Sequence, residues 1–230
     1  MGVMSITKTK RLVGAAAANL VQNGMCIGLG TGSTASCFID ALIERVRLGL
    51  QITAVATSKA SYQQAMQGGI LLSEIDEVST IDLAIDGADE IDNQRRLIKG
   101  GGGALLREKI IATSANEMVV MVDETKLVDA LGVFGLPVEI LPFGHTHTIR
   151  KIESLGLKGK LRLKESSSPY LTDNGNYIFD IHFNEPMKDP SIIDSQLKSL
   201  PGIIENGLFL NIAGRVVIGY DDGRVEIQGK

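Results

Sequence analysis

The chain of 230 residues has no tryptophan, two cysteines, three histidines and six prolines, and aromatic residues make up 4% of it. Each scarcity closes off a class of function. Cys26 and Cys37 stand without CxxC or metal-ligand spacing, so they read as buried thiols of a reducing compartment rather than a disulfide or zinc framework. His145, His147 and His182 lack a further ligand at recognisable spacing, which makes them surface or N-cap residues, and no metal site is expected. No apolar run approaches the ~18 residues of a membrane span. Positive charge is not in excess: 23 Lys and Arg against 27 Asp and Glu leave a net charge of −4, with no basic footprint for nucleic acid. Lys8, Lys10 and Arg11 before Leu12–Val21 imitate a leader peptide. Asn19 and Gln22 interrupt that run and no cleavage site closes it, so an amphipathic first helix over about Lys8–Gln22 is expected instead. What remains is a soluble, cytoplasmic globular chain with 44% hydrophobic residues, long enough for one or two domains.

Glycine, by contrast, is plentiful at 26 residues, and two glycine clusters fall at strand-to-helix turns. Short apolar runs at Met25–Leu29, Ile52–Ala56, Ile70–Leu72, Leu83–Ile85 and Met118–Val122 alternate with helical segments Ser33–Arg47, Ser58–Gln67 and Ala104–Thr113. That alternation implies an α/β, Rossmann-like layer with a mainly parallel sheet. A composition shift at Leu131–Pro137 reads as a connection to a second domain. Beyond it the order is β-α-β-β-α-β, a smaller inserted ferredoxin-like α+β unit, with helices at Thr146–Leu155 and Pro190–Ser199. Leu208–Leu210, Arg215–Tyr220 and Arg224–Ile227, the last two joined by an Asp-Gly turn, are expected to return to the first sheet. The catalytic domain would then be discontinuous, 1–132 plus 206–230, around a small domain at 133–205.

The second glycine cluster is Lys99-Gly100-Gly101-Gly102-Gly103. Four consecutive glycines cost more backbone entropy than any other tetrapeptide, and here they run into a helix. A glycine loop before a helix start leaves N–H groups converging beside the positive end of the helix dipole, which suits an anion. At about 100° per residue, Glu108 falls between Ala104 and Ala112 with Leu105 and Ile111 beside it, in the middle of an apolar arc. Desolvation there would move a carboxylate toward the range useful for proton transfer. A buried glutamate paired with Arg107 or Lys109 is the plainer reading; Lys99 and the adjoining loop favour the catalytic one.

The first cluster, Gly30-Thr31-Gly32-Ser33-Thr34-Ala35, matches a dinucleotide fingerprint in spacing. The second strand ends Val55-Ala56-Thr57-Ser58, without the acid a ribose would need, and the loop hydroxyls suit a small phosphate better. Asp86, Asp89, Glu90 and Asp92 follow a strand end, where ligand sites of open α/β sheets lie. Their spacing is not that of a calcium loop. Glu90 and Asp92 read as a solvated acidic turn, while Asp86 and Asp89 around Gly87-Ala88 are placed to grip sugar hydroxyls.

Taken in order, Gly30–Ala35, Asp86-Gly87-Ala88-Asp89-Glu90, the KGGGGALLREK run Lys99–Lys109, Leu136-Pro137-Val138-Glu139 and Thr172-Asp173-Asn174-Gly175-Asn176 resemble ribose-5-phosphate isomerase, type A, over nearly the whole chain. The resemblance implies an aldose–ketose isomerase of the non-oxidative pentose phosphate pathway, which interconverts D-ribose 5-phosphate and D-ribulose 5-phosphate through an enediolate. It implies no cofactor, and a homodimer or homotetramer. The family's proton acceptor falls on Glu108. Its substrate-binding positions fall on Thr31, Gly32, Ser33 and Thr34, on Asp86, Gly87, Ala88 and Asp89, on Lys99, Gly100, Gly101 and Gly102, and on Lys126. Lys99 and the loop amides would stabilise the enediolate, and Asp86 would assist ring opening. One departure stands near the end, where Ala213-Gly214-Arg215 replaces an expected Ala-Asp and touches no catalytic position. The alternative is a non-catalytic sugar-phosphate sensor; the absence of a helix-turn-helix ahead of the first element, and the pairing of Lys99 with Glu108, favour the enzyme.

Overall fold

The computed structural model describes residues 6–229. In chain order its elements are α1 (Ile6–Ala18), β1 (Cys26–Leu29), α2 (Ser33–Arg47), β2 (Thr53–Ala56), α3 (Lys59–Gln67), β3 (Leu71–Leu72), β4 (Ile81–Gly87), β5 (Glu90–Asp92) and β6 (Leu97–Ile98). There follow α4 (Leu105–Ser114), β7 (Ala115–Asp123), β8 (Leu127–Val128), β9 (Leu136–Ile140), α5 (His145–Ser154), β10 (Gly159–Leu161), β11 (Tyr177–Ile181) and α6 (Pro190–Lys198). The chain ends in β12 (Ile203–Asn206), β13 (Leu208–Phe209), β14 (Ala213–Gly219) and β15 (Val225–Gln228). Several starts have clear local causes. The Ser58 hydroxyl accepts the Ser61 N–H ahead of α3, and the Asp189 carboxylate accepts the Ser191 N–H ahead of α6, whose first residue is Pro190.

Two compact units result. The first comprises Met1–Ala88, Arg107–Leu127 and Ile212–Lys230. Its seven-stranded sheet runs β15-β14-β7-β4-β1-β2-β3, parallel except for the β14–β15 hairpin. This is an α/β, Rossmann-like sheet. One face packs Ile27, Leu29, Leu83, Ile85, Val119 and Met121 against α1 and α2 through Val13, Ala17, Phe38, Ile39 and Leu42. On the other face Cys26, Val55, Ile81 and Ala84 meet Ile111 of α4. Gly28 sets how closely α4 sits: a Cβ there would lie 2.4 Å from the Ile111 Cγ2 and 3.2 Å from the Ala84 Cα. The chain leaves β4, forms α4 and re-enters the sheet as the parallel strand β7, so the helix runs antiparallel to the strands and its first turn, with Glu108, is at their carboxyl ends.

The second unit comprises Asp89–Leu106 and Val128–Asn211. Its larger sheet has the order β10-β11-β9-β12, with every neighbouring pair antiparallel, which is the ferredoxin-like arrangement. Leu136, Val138, Ile140, Phe179, Ile181, Ile152 and Leu197 form the core between that sheet and its helices. A smaller sheet, β13-β6-β5-β8, explains why the unit boundaries differ from 132/133 and 205/206. The hairpin β5–β6 pairs with β13, so Asp89–Leu106 and Gly207–Asn211 belong with the second unit, and Leu208–Phe209 does not return to the first sheet. Only β14 and β15 return there. Among the described residues, no helix is long and apolar enough to cross a membrane.

Gly28→Ala should destabilise the protein by about 1–3 kcal/mol through overpacking against α4. A urea midpoint equal to that of the wild type would show that α4 is not seated on Gly28.

Candidate active site

In the first unit, β1 is flanked by β2 on one side and β4 on the other, so the loops after β1 and β4 diverge at a topological switch point. The two loops are tied together there. The Asp86 Oδ1 accepts the Thr31 N–H at 3.0 Å and the Gly87 N–H at 2.7 Å, and the Gly30 N–H donates to the Ile85 carbonyl at 3.0 Å. Asp86 is 4% exposed. Gly30 makes room for it, because a Cβ at residue 30 would fall 2.1 Å from the Asp86 Oδ1. The Thr31 hydroxyl meets that of Thr57 at 2.6 Å, and Thr57 in turn donates to the Leu29 carbonyl.

Gly32 precedes α2 with φ of 103°, a left-handed conformation that favours glycine, and α2 begins at Ser33 with no acidic residue in its first turn. Gly32 and Ser33 are exposed. Such a helix start presents N–H donors and positive potential to an anion. The Lys10 Nζ donates to the Ser33 Oγ at 2.8 Å. Lys10 is the residue that local pattern reading missed, since it sat in what resembled a leader. The signal that could have found it is Gly14. A Cβ at Gly14 would come within 2.7 Å of the Cys37 carbonyl carbon and the Phe38 nitrogen, so α1 lies directly on α2. One turn earlier on each helix come Lys10 and Ser33. Thr34 approaches Gly87, with its Cβ 3.7 Å from where a Gly87 Cβ would be. Lys126 is half-buried in the 3₁₀ turn Glu124–Lys126 that follows β7, held open by the Asp123 carboxylate accepting the Thr125 N–H. Glu108, 4% exposed, is in the first turn of α4.

The other expected site residues are in the second unit. Lys99 is 3% exposed, its N–H donates to the Gly207 carbonyl at 2.9 Å, and its ammonium lies 5.4 Å from the centre of the Phe209 ring. Gly100 and Gly103 take φ of 104° and 80°, so the loop turns where a side chain would be strained. The Asp89 Oδ2 accepts the Gly101 N–H at 2.8 Å. Gly101 and Gly102 are exposed. The expected residues thus divide: Thr31, Gly32, Ser33, Thr34, Asp86, Gly87, Ala88, Glu108 and Lys126 in the first unit, Asp89 and Lys99–Gly102 in the second.

Glu90 and Asp92 correct the reading of a solvated turn, being 3% and 5% exposed. The Glu90 carboxylate accepts the N–H groups of Gly132 and Phe134 at 2.7 and 2.5 Å, and Asp92 accepts from Arg96 at 2.6 Å. Burial is tolerated because donors replace the lost water. Among the described residues, no three His, Cys, Asp or Glu side chains gather where they could hold a metal ion. His145 packs edge-on against Tyr177, and its Nδ1 lies 3.0 Å from the Pro142 carbonyl at the start of α5.

A family model described as ribose 5-phosphate isomerase A (phosphoriboisomerase A) matches residues 53–223. The chain belongs to that family. It is 50% identical to ribose-5-phosphate isomerase A of Protochlamydia amoebophila over 220 residues, covering 96% of this chain and 95% of the relative. It is 49% identical to that of Bacillus mycoides over 214 residues, 93% of this chain and 96% of the relative. Among solved structures, ribose 5-phosphate isomerase A of Methanocaldococcus jannaschii superposes with a TM-score of 0.92 at 40% identity, over 98% of this chain and all of that one. A D-ribose-5-phosphate isomerase in complex with phospho-erythronic acid superposes at 0.93 with 38% identity, over the full length of both. The segment Ala213-Gly214-Arg215, which the resemblance leads one to expect as a departure, is held within the sheet. Arg215 makes a two-pronged pair with Glu117, Nε to Oε1 and Nη2 to Oε2, both at 2.8 Å.

Gly30→Ala should displace the Asp86 carboxylate and cost about 10²-fold in kcat/KM while the far-ultraviolet circular dichroism stays unchanged. Activity near that of the wild type would separate Asp86 from the reaction.

Proposed function

We infer that this isomerase interconverts D-ribose 5-phosphate and D-ribulose 5-phosphate with Glu108 as the base. The observation that carries the assignment is a carboxylate 4% exposed in the first turn of α4, at the carboxyl ends of the sheet. Aldose–ketose isomerisation moves one proton between adjacent carbons and passes through an enediolate. In the proposed sequence, Asp86 assists opening of the furanose by accepting from the anomeric hydroxyl. Glu108 then takes the C2 proton of the open-chain aldose and returns it to C1, while the hydroxyl proton passes from O2 to O1. A base of this kind supplies ~10²–10⁴ in rate. Lys99 and the N–H groups of the Gly100–Gly102 loop take up the charge developing on oxygen, where one lost donor costs ~3–4 kcal/mol.

Phosphate binding is assigned to the start of α2, with Gly32, Ser33 and Thr34 supplying donors and Lys126 and Lys10 supplying charge. The Lys10–Ser33 hydrogen bond supports the inclusion of Lys10. Holding that remote group provides binding energy that orients the reacting carbons. Asp89, whose carboxylate already meets the loop at Gly101, and Gly87 and Ala88 are assigned to the sugar hydroxyls. Phospho-erythronic acid, the compound bound to the solved relative, is a phosphorylated aldonic acid. Its planar carboxylate has the charge and shape of an enediolate, which supports the same chemistry here. The sensor reading has no such support, since relatives near 50% identity are named as the isomerase. A homodimer or homotetramer in the cytoplasm completes the proposal, on the family resemblance alone.

Glu108→Gln should lose ~10²–10⁴ in kcat and still bind ribose 5-phosphate. Near-normal turnover, measured by the appearance of ribulose 5-phosphate, would eliminate Glu108 as the base. Lys126→Ala and Lys10→Ala should each raise KM with little change in kcat; an unchanged KM beside a lost kcat would contradict a phosphate role.

A further inference from the structure

Within the second unit, the glycine loop is gripped by a residue the reaction scheme has not used. Arg162 directly follows β10. Its N–H donates to the Ile178 carbonyl at 2.8 Å and its carbonyl accepts the Tyr170 N–H at 2.9 Å, so its backbone is held on both sides. With Lys160 opposite Asp180, the strand alternation puts Arg162 and Asp180 on one face of the sheet, opposite the core formed by Phe179 and Val138. Asp180 takes two nitrogens along one edge of the guanidinium, Nε at 2.8 Å and Nη2 at 2.5 Å. The remaining nitrogen, Nη1, donates to the carbonyls of Gly100 and Gly101, each at 3.0 Å. One planar fork is therefore used twice, once to be aimed and once to aim.

We propose that Arg162, aimed by Asp180, is a positioning residue that turns the Gly101–Gly102 peptide so that the Gly102 N–H serves the enediolate. The inference rests on the reading of this loop as the oxyanion site. The peptide unit is planar and trans, so its C=O and N–H point in opposite directions. Holding the Gly101 carbonyl toward the sheet face sends the Gly102 N–H away from it, on a residue exposed to solvent. The preceding peptide obeys the same rule: the Gly100 carbonyl faces Arg162 while the Gly101 N–H reaches Asp89 at 2.8 Å. A full positive charge on the carbonyls also polarises the peptides and makes their N–H groups stronger donors. Left alone, the glycines would sample many peptide orientations, so a fixed donor direction needs an outside hold.

Tyr170 adds a second tether, its hydroxyl donating to the Gly102 carbonyl at 3.2 Å under the Arg162 guanidinium. Burial pushes its phenol pKa up, with Asp173 and Glu139 reinforcing and Arg162 opposing, so the hydroxyl keeps its proton.

The test uses Arg162→Lys and Asp180→Asn, with kcat, KM and calorimetric binding of phospho-erythronic acid compared with wild type. A lysine keeps the charge but cannot bridge Asp180 and two carbonyls. Expected is a ~10–100-fold fall in kcat and a matching loss of affinity for phospho-erythronic acid, while KM for ribose 5-phosphate shifts less than threefold. Asp180→Asn should move the same quantities in the same direction and by less, which a mere loss of fold would not do. Equal losses in KM and in analogue affinity, or lost kcat with analogue affinity intact, would overturn the positioning role. Wild-type protein that binds the analogue no more tightly than ribose 5-phosphate would overturn the oxyanion reading itself, and the positioning role with it. Because the binding arm needs no turnover, neither result depends on whether Glu108 is the base.

Discussion

A single carboxylate oxygen of Asp86 accepts the N–H of Thr31 and that of Gly87, and this pair of hydrogen bonds governs the geometry of the first unit's functional end. Parallel strands diverge at the switch point because their crossovers leave in opposite directions, and the gap has to be lined by backbone that would otherwise be unsatisfied. Asp86 satisfies both sides of that gap at once. The tie demands that residue 30 have no side chain, since any Cβ would sit on the carboxylate. It also fixes the path by which the chain enters α2, and so the direction of the N–H groups at Gly32 and Ser33. A second close approach, Gly14 on α2, then brings the Lys10 ammonium to the same turn.

The second unit solves a different problem, which is to hold a loop of four glycines still. Several of its charged side chains are spent on backbone. Glu90 closes on the amides of Gly132 and Phe134, Asp89 on Gly101, and Arg162 on two loop carbonyls. Glu139, fully buried, gathers Thr172, Asn174 and Asn176 around its Oε1 at 2.9–3.1 Å, so the TDNGN turn is folded about one carboxylate. Removing any such partner would leave a buried charged or polar group without compensation, which costs more than the bond itself is worth. That asymmetry makes these segments rigid, and rigidity is what a donor array needs if it is to act without reorganising.

The legible parts of the sequence were those in which chemistry and local geometry coincide. Helix α2 begins and ends where the glycine turn and the apolar spacing put it, and Glu108 is buried as its place on the helical arc implied. The ferredoxin-like order was legible because short apolar runs and turn residues alternate with two helical segments, Thr146–Leu155 and Pro190–Ser199. What stayed hidden depends on long-range pairing. Within the acidic run, Glu90 and Asp92 look solvated in one dimension, yet they are inside because partners at residues 96, 132 and 134 reach them. The β5–β6 hairpin has only two- and three-residue strands, too short for any period to register. Its pairing with β13 is one of the contacts that place Asp89–Leu106 in the second unit. Lys10 and Arg162 were invisible for the same reason: each acts on a loop 23 or about 60 residues away, through a sheet face or a helix contact.

The segment Ala213-Gly214-Arg215 shows how distant contacts hold an irregular stretch of strand. The register between β14 and β7 slips between Ala213 and Val216, where an extra residue must be accommodated. Gly214 lets the strand pass Glu117 closely, for a Cβ there would lie 2.7 Å from the Glu117 Cγ. Arg215 then takes both carboxylate oxygens of Glu117 with its side chain and one of them with its own N–H at 3.1 Å. Hydrogen bonding to Glu117 pushes the guanidinium pKa up, against the opposing effect of burial. The irregularity is thus confined to the amino end of β7, while the carboxyl end, which carries Asp123 and leads to Lys126, keeps its pairing with Gly219. In a parallel sheet the two ends are separated by the length of the strand, so sequence can vary at one without disturbing chemistry at the other.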